Sequence, residues 1–257
     1  MRALLGRAVL ALALGCVATP AAADEITVMV SGGFTAAYRT LVSQWEKATG
    51  HRVTTVSGAS MGASATTIPN RLARGEQAEV VILARTALDA LVRDGHVIIG
   101  TPVDLANSRI GMAVRMGAPK PVIATEAQLR QFLLKAKSIA YSESASGVYL
   151  STELFPRLGI ANAIAAKSSM IVGRPVGEAI AAGEAEIGFQ QMSELLAVGG
   201  ITVIGPIPDS VQRVTTFSAG VASHSRATAT ATALIAFLAS PEARETIRRT
   251  GLDPITK

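Results

Sequence analysis

Residues 26–50 read I-T-V-M-V-S-G-G-F-T-A-A-Y-R-T-L-V-S-Q-W-E-K-A-T-G. The β-rich apolar run 26–30 predicts a short buried strand. Ser31-Gly32-Gly33 interrupts it, and 34–49 then places Leu41, Val42 and Trp45 on one helical face before Gly50 stops the helix. A strand turning into a helix is the repeating unit of an α/β fold. Two more units follow. A strand at 53–56 leads through the small-residue loop 57–64 to a helix with Ile68, Leu72 and Ala73, closed at Gly75. A strand at 80–83 leads to a helix at 87–93, closed at Gly95. Short loops between alternating strands and helices predict mostly parallel sheets flanked by helices.

A second series begins near Arg109. Strands are predicted at 109–114, 138–141, 186–189, 203–205 and 214–221, with helices at 126–134, 147–158 and 176–182. The chain then ends in a helix at 227–238 and a shorter one that Pro241 starts. Two successive series predict two lobes with a cleft between them, 24–106 with 214–257 and 107–213. In open parallel sheets ligands sit where strands end and helices begin. That directs attention to residues 31–33, 57–64, 85–86, 142–147 and 190–193.

The N-terminus predicts export. Arg2 and Arg7 flank the start of an apolar run through Val17, and Thr19-Pro20-Ala21-Ala22-Ala23 supplies small residues for cleavage after Ala23. This is the layout of a signal peptide over 1–23, and the run is shorter than the ~20 residues of a membrane span. Lipidation at Cys16 is the alternative, but Ala13 stands where a lipobox usually has leucine. Cys16 is the sole cysteine, so the mature chain has no disulfide, zinc–thiolate site or cysteine nucleophile. Removal of the leader leaves 22 basic against 19 acidic residues, with no basic cluster interleaved with aromatics. This speaks against nucleic acid and suits a small anion. His51, His96 and His224 lack metal-ligand spacing, and no Walker, dinucleotide or G-x-S-x-G motif is present. No cofactor and no metal is expected, and the mature chain is expected to work as a monomer in the periplasm.

The strand-end loops carry the candidate chemistry. Ser31 and Gly32 form either a helix cap or an anion site, because a helix start favours negative charge. Ser60 and Met61 lie in a loop of the same composition. Tyr141-Ser142-Glu143-Ser144-Ala145-Ser146-Gly147-Val148-Tyr149 opens a helix in the second series and is dense in hydroxyls. Arg71, Arg74, Arg85 and Arg109 are candidate guanidinium forks for carboxylates, with a solvated face as the alternative for Arg71 and Arg74.

On these loops the chain resembles the periplasmic molybdate-binding protein family of the type II periplasmic binding fold. The features are the serine turn after the first strand, Ser60-Met61-Gly62, Arg74-Gly75-Glu76, Ser146-Gly147-Val148-Tyr149 and Gly183-Glu184-Ala185-Glu186-Ile187-Gly188. The implied fold is two α/β lobes joined by two crossover strands. The family's tyrosine ligand is missing, since the segment reads Gly188-Phe189-Gln190-Gln191-Met192-Ser193. Those details, with Ile68-Pro69-Asn70-Arg71-Leu72-Ala73-Arg74-Gly75-Glu76, resemble the aconitate isomerase branch more closely.

That resemblance implies interconversion of trans- and cis-aconitate by a cofactor-free allylic proton shift. A base must reach the methylene carbon, and fixed donors must meet the developing charge. Glu143 is the candidate base and Tyr149 the candidate proton donor. Ser31, Gly32, Ser60, Met61, Arg71, Arg74, Arg85, Arg109, Ser144, Ser146, Gln190 and Gln191 are the candidate substrate contacts. The same loops equally suit a solute-binding protein that hands an organic carboxylate or an oxyanion to an ABC transporter permease.

Overall fold

A computed structural model describes residues 23–256. The predicted leader up to residue 22, Cys16 included, lies outside the described residues. The chain forms two lobes, each built on one sheet with helices on both faces. The six-stranded sheet has the order β11-β4-β10-β3-β1-β2. Its strands are β1 (Glu25–Val30), β2 (Arg52–Ser57), β3 (Val80–Ala84), β4 (Val103–Ser108), β10 (Thr215–Val221) and β11 (Asp253–Pro254). The five-stranded sheet has the order β7-β6-β8-β5-β9. It contains β5 (Ile110–Arg115), β6 (Ile139–Ser142), β7 (Ser168–Ile171), β8 (Ile187–Gln191) and β9 (Ile201–Pro206).

The α/β class and the flanking helices match expectation, but the pairing is more mixed than "mostly parallel". β1 is parallel to β2 and β3, and β6 is parallel to β7 and β8. Every pairing made by β10 or β5, and that of β11 with β4, is antiparallel. The reason lies in the crossings. β4 runs through the single residue Arg109 into β5, and β10 returns from the second sheet to insert between β3 and β4. A strand arriving from the other lobe is not fed by a helical crossover, so the parallel rule for strand–helix–strand units does not govern it. The six-residue β4 and the short strands β7 and β11 have no counterpart in the sequence reading; β7 carries only Ser168, Ser169, Met170 and Ile171 and shows little burial.

Period-two alternation fixes the two faces of each sheet. Ile26, Val28 and Val30 point into one core with Phe34, Leu41 and Leu234, whereas Met29 points into the other with Ile68, Leu83 and Leu88. In the second sheet Ile110, Met112 and Val114 face Leu129, Leu150 and Phe189, and Ala113 faces Val176, Ile180 and Leu195.

α1 (Gly32–Thr49) shows the sequence logic plainly. Phe34, Ala37, Tyr38, Leu41, Val42 and Trp45 are buried, a stripe at helical spacing. Each of the larger side chains contributes roughly 1.5–3 kcal/mol by leaving water. Gly50 ends the helix in the left-handed region, φ 79°. The Tyr38 hydroxyl meets Thr55 Oγ1 at 3.0 Å, and burial pushes its pKa up to about 12. α2 (Ile68–Ala73), α3 (Arg85–Arg93) and α4 (Glu126–Lys135) follow.

The helix expected at 147–158 is not regular. α5 (Ala145–Tyr149) passes through a π-helical stretch, Leu150–Leu154, into α6 (Phe155–Arg157). Pro156 has no N–H to give the preceding turn, and the hydroxyls of Ser151 and Thr152 bond back to the carbonyls of Gly147 and Val148 at 2.8 and 2.7 Å. The remaining helices are α7 (Ala161–Ile164), α8 (Val176–Ala181), α9 (Met192–Leu196), α10 (Thr228–Leu238) and α11 (Ala243–Arg249).

Candidate functional site

β1, β2 and β3 all end at the same edge of the first sheet, and β6 and β8 end facing it. Hydrogen bonds show where their loops meet. Ser60 Oγ donates to Ser31 Oγ at 2.7 Å and accepts from the Ala84 N–H at 2.9 Å. Three strand ends of the first lobe are thereby tied at one buried hydroxyl, with Ser31 and Ser60 at most 2 % exposed. Ser31 also caps α1 by position, and its side chain makes no cap hydrogen bond. With its oxygen accepting from Ser60, the Ser31 hydroxyl keeps its own proton to give. The start of the 18-residue α1 adds the favourable end of a helix dipole beside it.

The second lobe closes on this edge. Ser60 N–H donates to Ser144 Oγ at 3.2 Å, and Ser193 Oγ donates to the Gly33 carbonyl at 2.6 Å. Two glycines permit the approach. A Cβ on Gly32 would lie 2.1 Å from Glu194 Oε1. One on Gly62, whose φ is +115°, would lie 2.8 Å from the Glu143 carbonyl oxygen. A side chain at Gly62 would collide with backbone of the second lobe, whereas one at Gly32 would push the Glu194 carboxyl aside.

Behind this contact the second lobe is densely bonded. Ser142 Oγ meets Ser146 Oγ at 3.0 Å in the turn after β6. Glu143, buried, accepts from the Gly173 N–H at 3.0 Å. Gln190 Oε1 accepts from the Val176 N–H, and its Nε2 donates to Glu194 Oε1, both at 2.8 Å. Gln191 Nε2 donates to Thr215 Oγ1 at 3.0 Å, which links β8 to the returning strand β10. Burial pushes the Glu194 pKa up to about 7, against the downward pull of Gln190 and the Gln191 backbone.

The structure thus brings Ser31, Gly32, Ser60, Glu143, Ser144 and Gln190 to one interlobe contact, with Gln191 and Ser146 immediately behind it. Met61 sits in the same loop as Ser60 and leans its side chain on the core beneath α2 and α3.

The arginines are placed differently from expectation. Arg71 and Arg74 both clamp Glu76, at 2.7 and 2.8 Å, and hold its carboxyl below the usual range. Arg71 Nε also donates to the Thr66 carbonyl at 3.1 Å, so its guanidinium is spent on Glu76 and on the backbone before α2. Arg85 does lie at the end of β3, but Asp89 and Asp104 take its guanidinium at 2.8 and 2.7 Å. Arg109, between the two sheets, pairs with Asp209. Tyr149 is also committed: its hydroxyl donates to the Val211 carbonyl at 2.8 Å, and Arg213 lies over its ring at 4.6 Å. Burial raises the pKa of its phenol further. A role as proton donor in the cleft does not fit a hydroxyl spent on the backbone.

Sequence reasoning missed Glu194, and it gave no role to Ser193 within the 190–193 loop. The available signal was Ser193 and Glu194, polar residues just past the fully buried strand β8, which itself ends in Gln190 and Gln191. Among the described residues, no group of three or more His, Cys, Asp or Glu side chains forms a metal site, and no helix is long and apolar enough to cross a membrane.

Comparison with known proteins agrees with this architecture. The chain is 47 % identical to an aconitate isomerase from a Pseudomonas species, over 90 % of this chain and 88 % of that protein. It is 29 % identical to the molybdate-binding protein ModA of Azotobacter vinelandii, over 96 % of this chain and 97 % of the relative. The solved structure of the Azotobacter vinelandii periplasmic molybdate-binding protein superposes with a TM-score of 0.72 at 20 % identity, covering 90 % of this chain and 99 % of that one. Residues 26–253 match the family model for bacterial extracellular solute-binding proteins, and the chain belongs to that family.

Proposed function

We propose that this protein is an aconitate isomerase that interconverts trans- and cis-aconitate in the cleft between its lobes, without a cofactor. The observation that carries the reading is the 47 % identity with an aconitate isomerase across nearly the whole chain. The cleft chemistry supports it. A small anion is met by neutral donors, the Ser31 hydroxyl and the first amides of α1, with Ser60 and Ser144 around them. The Glu143 carboxylate faces this set from the second lobe and is the base that takes the methylene proton. With Arg71, Arg74, Arg85 and Arg109 held by carboxylates of the chain, the substrate carboxylates rely on these neutral donors rather than on guanidinium forks.

The lobes divide as 24–106 with 214–257 and 107–213, and residues 1–23 are a signal peptide that delivers a monomer to the periplasm. Closure excludes water and strengthens each interaction with the substrate. The family and the ModA relative favour a second reading: a carrier that passes the anion to an ABC transporter permease. Fold does not separate the two. Incubation of the purified mature protein with trans-aconitate, followed by proton NMR, does. Appearance of cis-aconitate is the expected result. Its absence at high protein concentration, with binding intact, favours the carrier.

A further inference from the structure

With Tyr149 occupied by the Val211 carbonyl, the proton shift has a base in Glu143 but no partner to return a proton. We propose that Glu194 is the proton donor of the isomerisation, held in the cleft by Gln190 against the start of α1. The assignment rests on the isomerase reading.

The geometry points to Glu194 in three steps. Its Oε1 lies only 2.1 Å from where a Cβ on Gly32 would stand, which places the carboxyl next to Ser31 at the start of α1. Gln190 cannot turn its amide over, because its Oε1 is taken by the Val176 N–H. Its NH₂ therefore points at Glu194 Oε1, which must act as acceptor and leaves Oε2 to carry a proton. Burial works in the same direction, pushing the pKa of this carboxyl up to about 7. The elements packed against α9 are α1, α8, β5, β8 and β9. None of their charged side chains adds to the shift, which comes from burial opposed by Gln190 and the Gln191 backbone.

The step balances without a further reactant. Glu143 takes a proton from the methylene carbon, and that C–H electron pair becomes the new C=C bond. The old double-bond pair moves to the far allylic carbon and forms a C–H bond with the Glu194 proton. Glu143 ends protonated and Glu194 ionised; exchange of one proton through water restores both, and the reverse reaction starts from the exchanged pair.

The test compares wild type, E194Q and E194D with trans-aconitate. Wild-type kcat is expected to fall as pH rises through about 7, and E194Q to lose about 100-fold or more in kcat with KM little changed. Aspartate is expected to restore part of the rate. In D₂O, early wild-type product should carry one deuterium at the newly protonated carbon. A thermal shift with aconitate confirms that E194Q folds and binds. Wild type that never converts trans-aconitate defeats the isomerase reading itself. Wild type that converts it, with E194Q within about threefold and with the same alkaline limb, overturns the role of Glu194 alone. Early product that retains the substrate's own proton at the new carbon also overturns it, because one shuttling base then suffices.

Discussion

On the wall of the cleft formed by the first lobe stand Ser31, Ser60 and the opening amides of α1; on the wall formed by the second stand Glu143 and Glu194. The first wall holds donors with no ionisable side chain among them, tied by the Ser60–Ser31 and Ala84–Ser60 bonds. The second holds two carboxyls, each facing a glycine of the first, Gly62 and Gly32. An ionised carboxylate on the wall opposes capture of an oxyanion through like charge. The asymmetry fits a division of labour in which one wall binds and the other moves protons.

The sharpest way to break that division is to neutralise the base. Glu143→Gln keeps an oxygen for the Gly173 N–H, so the fold and the aconitate-induced thermal shift should survive. Turnover should fall about 10²–10⁴-fold, the usual contribution of a positioned acid or base. Unchanged turnover by proton NMR would remove Glu143 from the chemistry and leave the second wall with one active acid.

The second wall should also carry a stability signature. Burial pushes the Glu194 pKa up to about 7 from the ordinary 4.5 of a glutamate. Below pH 4.5 both folded and unfolded chains hold the proton, and the contribution is fully present. As pH rises from 4.5 to 7 the unfolded chain ionises first, so stability falls, and above pH 7 the loss is complete. At about 1.4 kcal/mol per pKa unit the loss is at most roughly 3 kcal/mol. Urea unfolding at pH 4.5 and pH 7.5 should show it in wild type and not in E194Q. Equal pH dependence in the two proteins would mean that the carboxyl is solvated.

For the first wall a smaller and purely thermodynamic effect is expected. Ser60→Ala leaves the buried Ala84 N–H without its acceptor and Ser31 without its donor. The cost is about 1–3 kcal/mol of stability. Affinity for aconitate should weaken by about tenfold, with kcat for bound substrate changed less than by Glu143→Gln. A loss confined to kcat would place chemistry on the first wall and erase the contrast.

Much of this was legible before the fold was known. The strand–serine turn–helix unit at 26–50 gave the lobe architecture, and the positions of Ser31, Ser60, Glu143 and Gln190 at strand ends gave the cleft. What escaped has physical reasons. The antiparallel insertion of β10 depends on which lobe a strand returns to, and local periodicity does not record that. Glu194 meets Gly32, a residue distant in sequence, and local patterning does not record that approach. Tyr149 looked available because its loop is rich in hydroxyls, but its partner, the Val211 carbonyl, is a backbone atom with no sequence signature.

The arginines provide the smallest expected effect and the most direct check on how the first wall binds charge. Arg71 and Arg74 looked like carboxylate forks because they share a helix face, yet both pair with Glu76, and Arg71 also bonds the Thr66 carbonyl. If neutral donors carry the anion, then Arg71→Ala and Arg74→Ala should leave kcat/KM for trans-aconitate within about threefold, since exposed ion pairs of this kind contribute little. The local effect should be clear nonetheless. Without its two partners, the Glu76 carboxyl should titrate at higher pH than in wild type, a change that carboxyl NMR can follow. A tenfold or larger loss in kcat/KM with an unmoved Glu76 would instead mean that these guanidinium groups turn from Glu76 to the substrate. The first wall would then recruit charge from outside the strand ends, and its contrast with the second would lie in the sign of its charge rather than in the absence of charge.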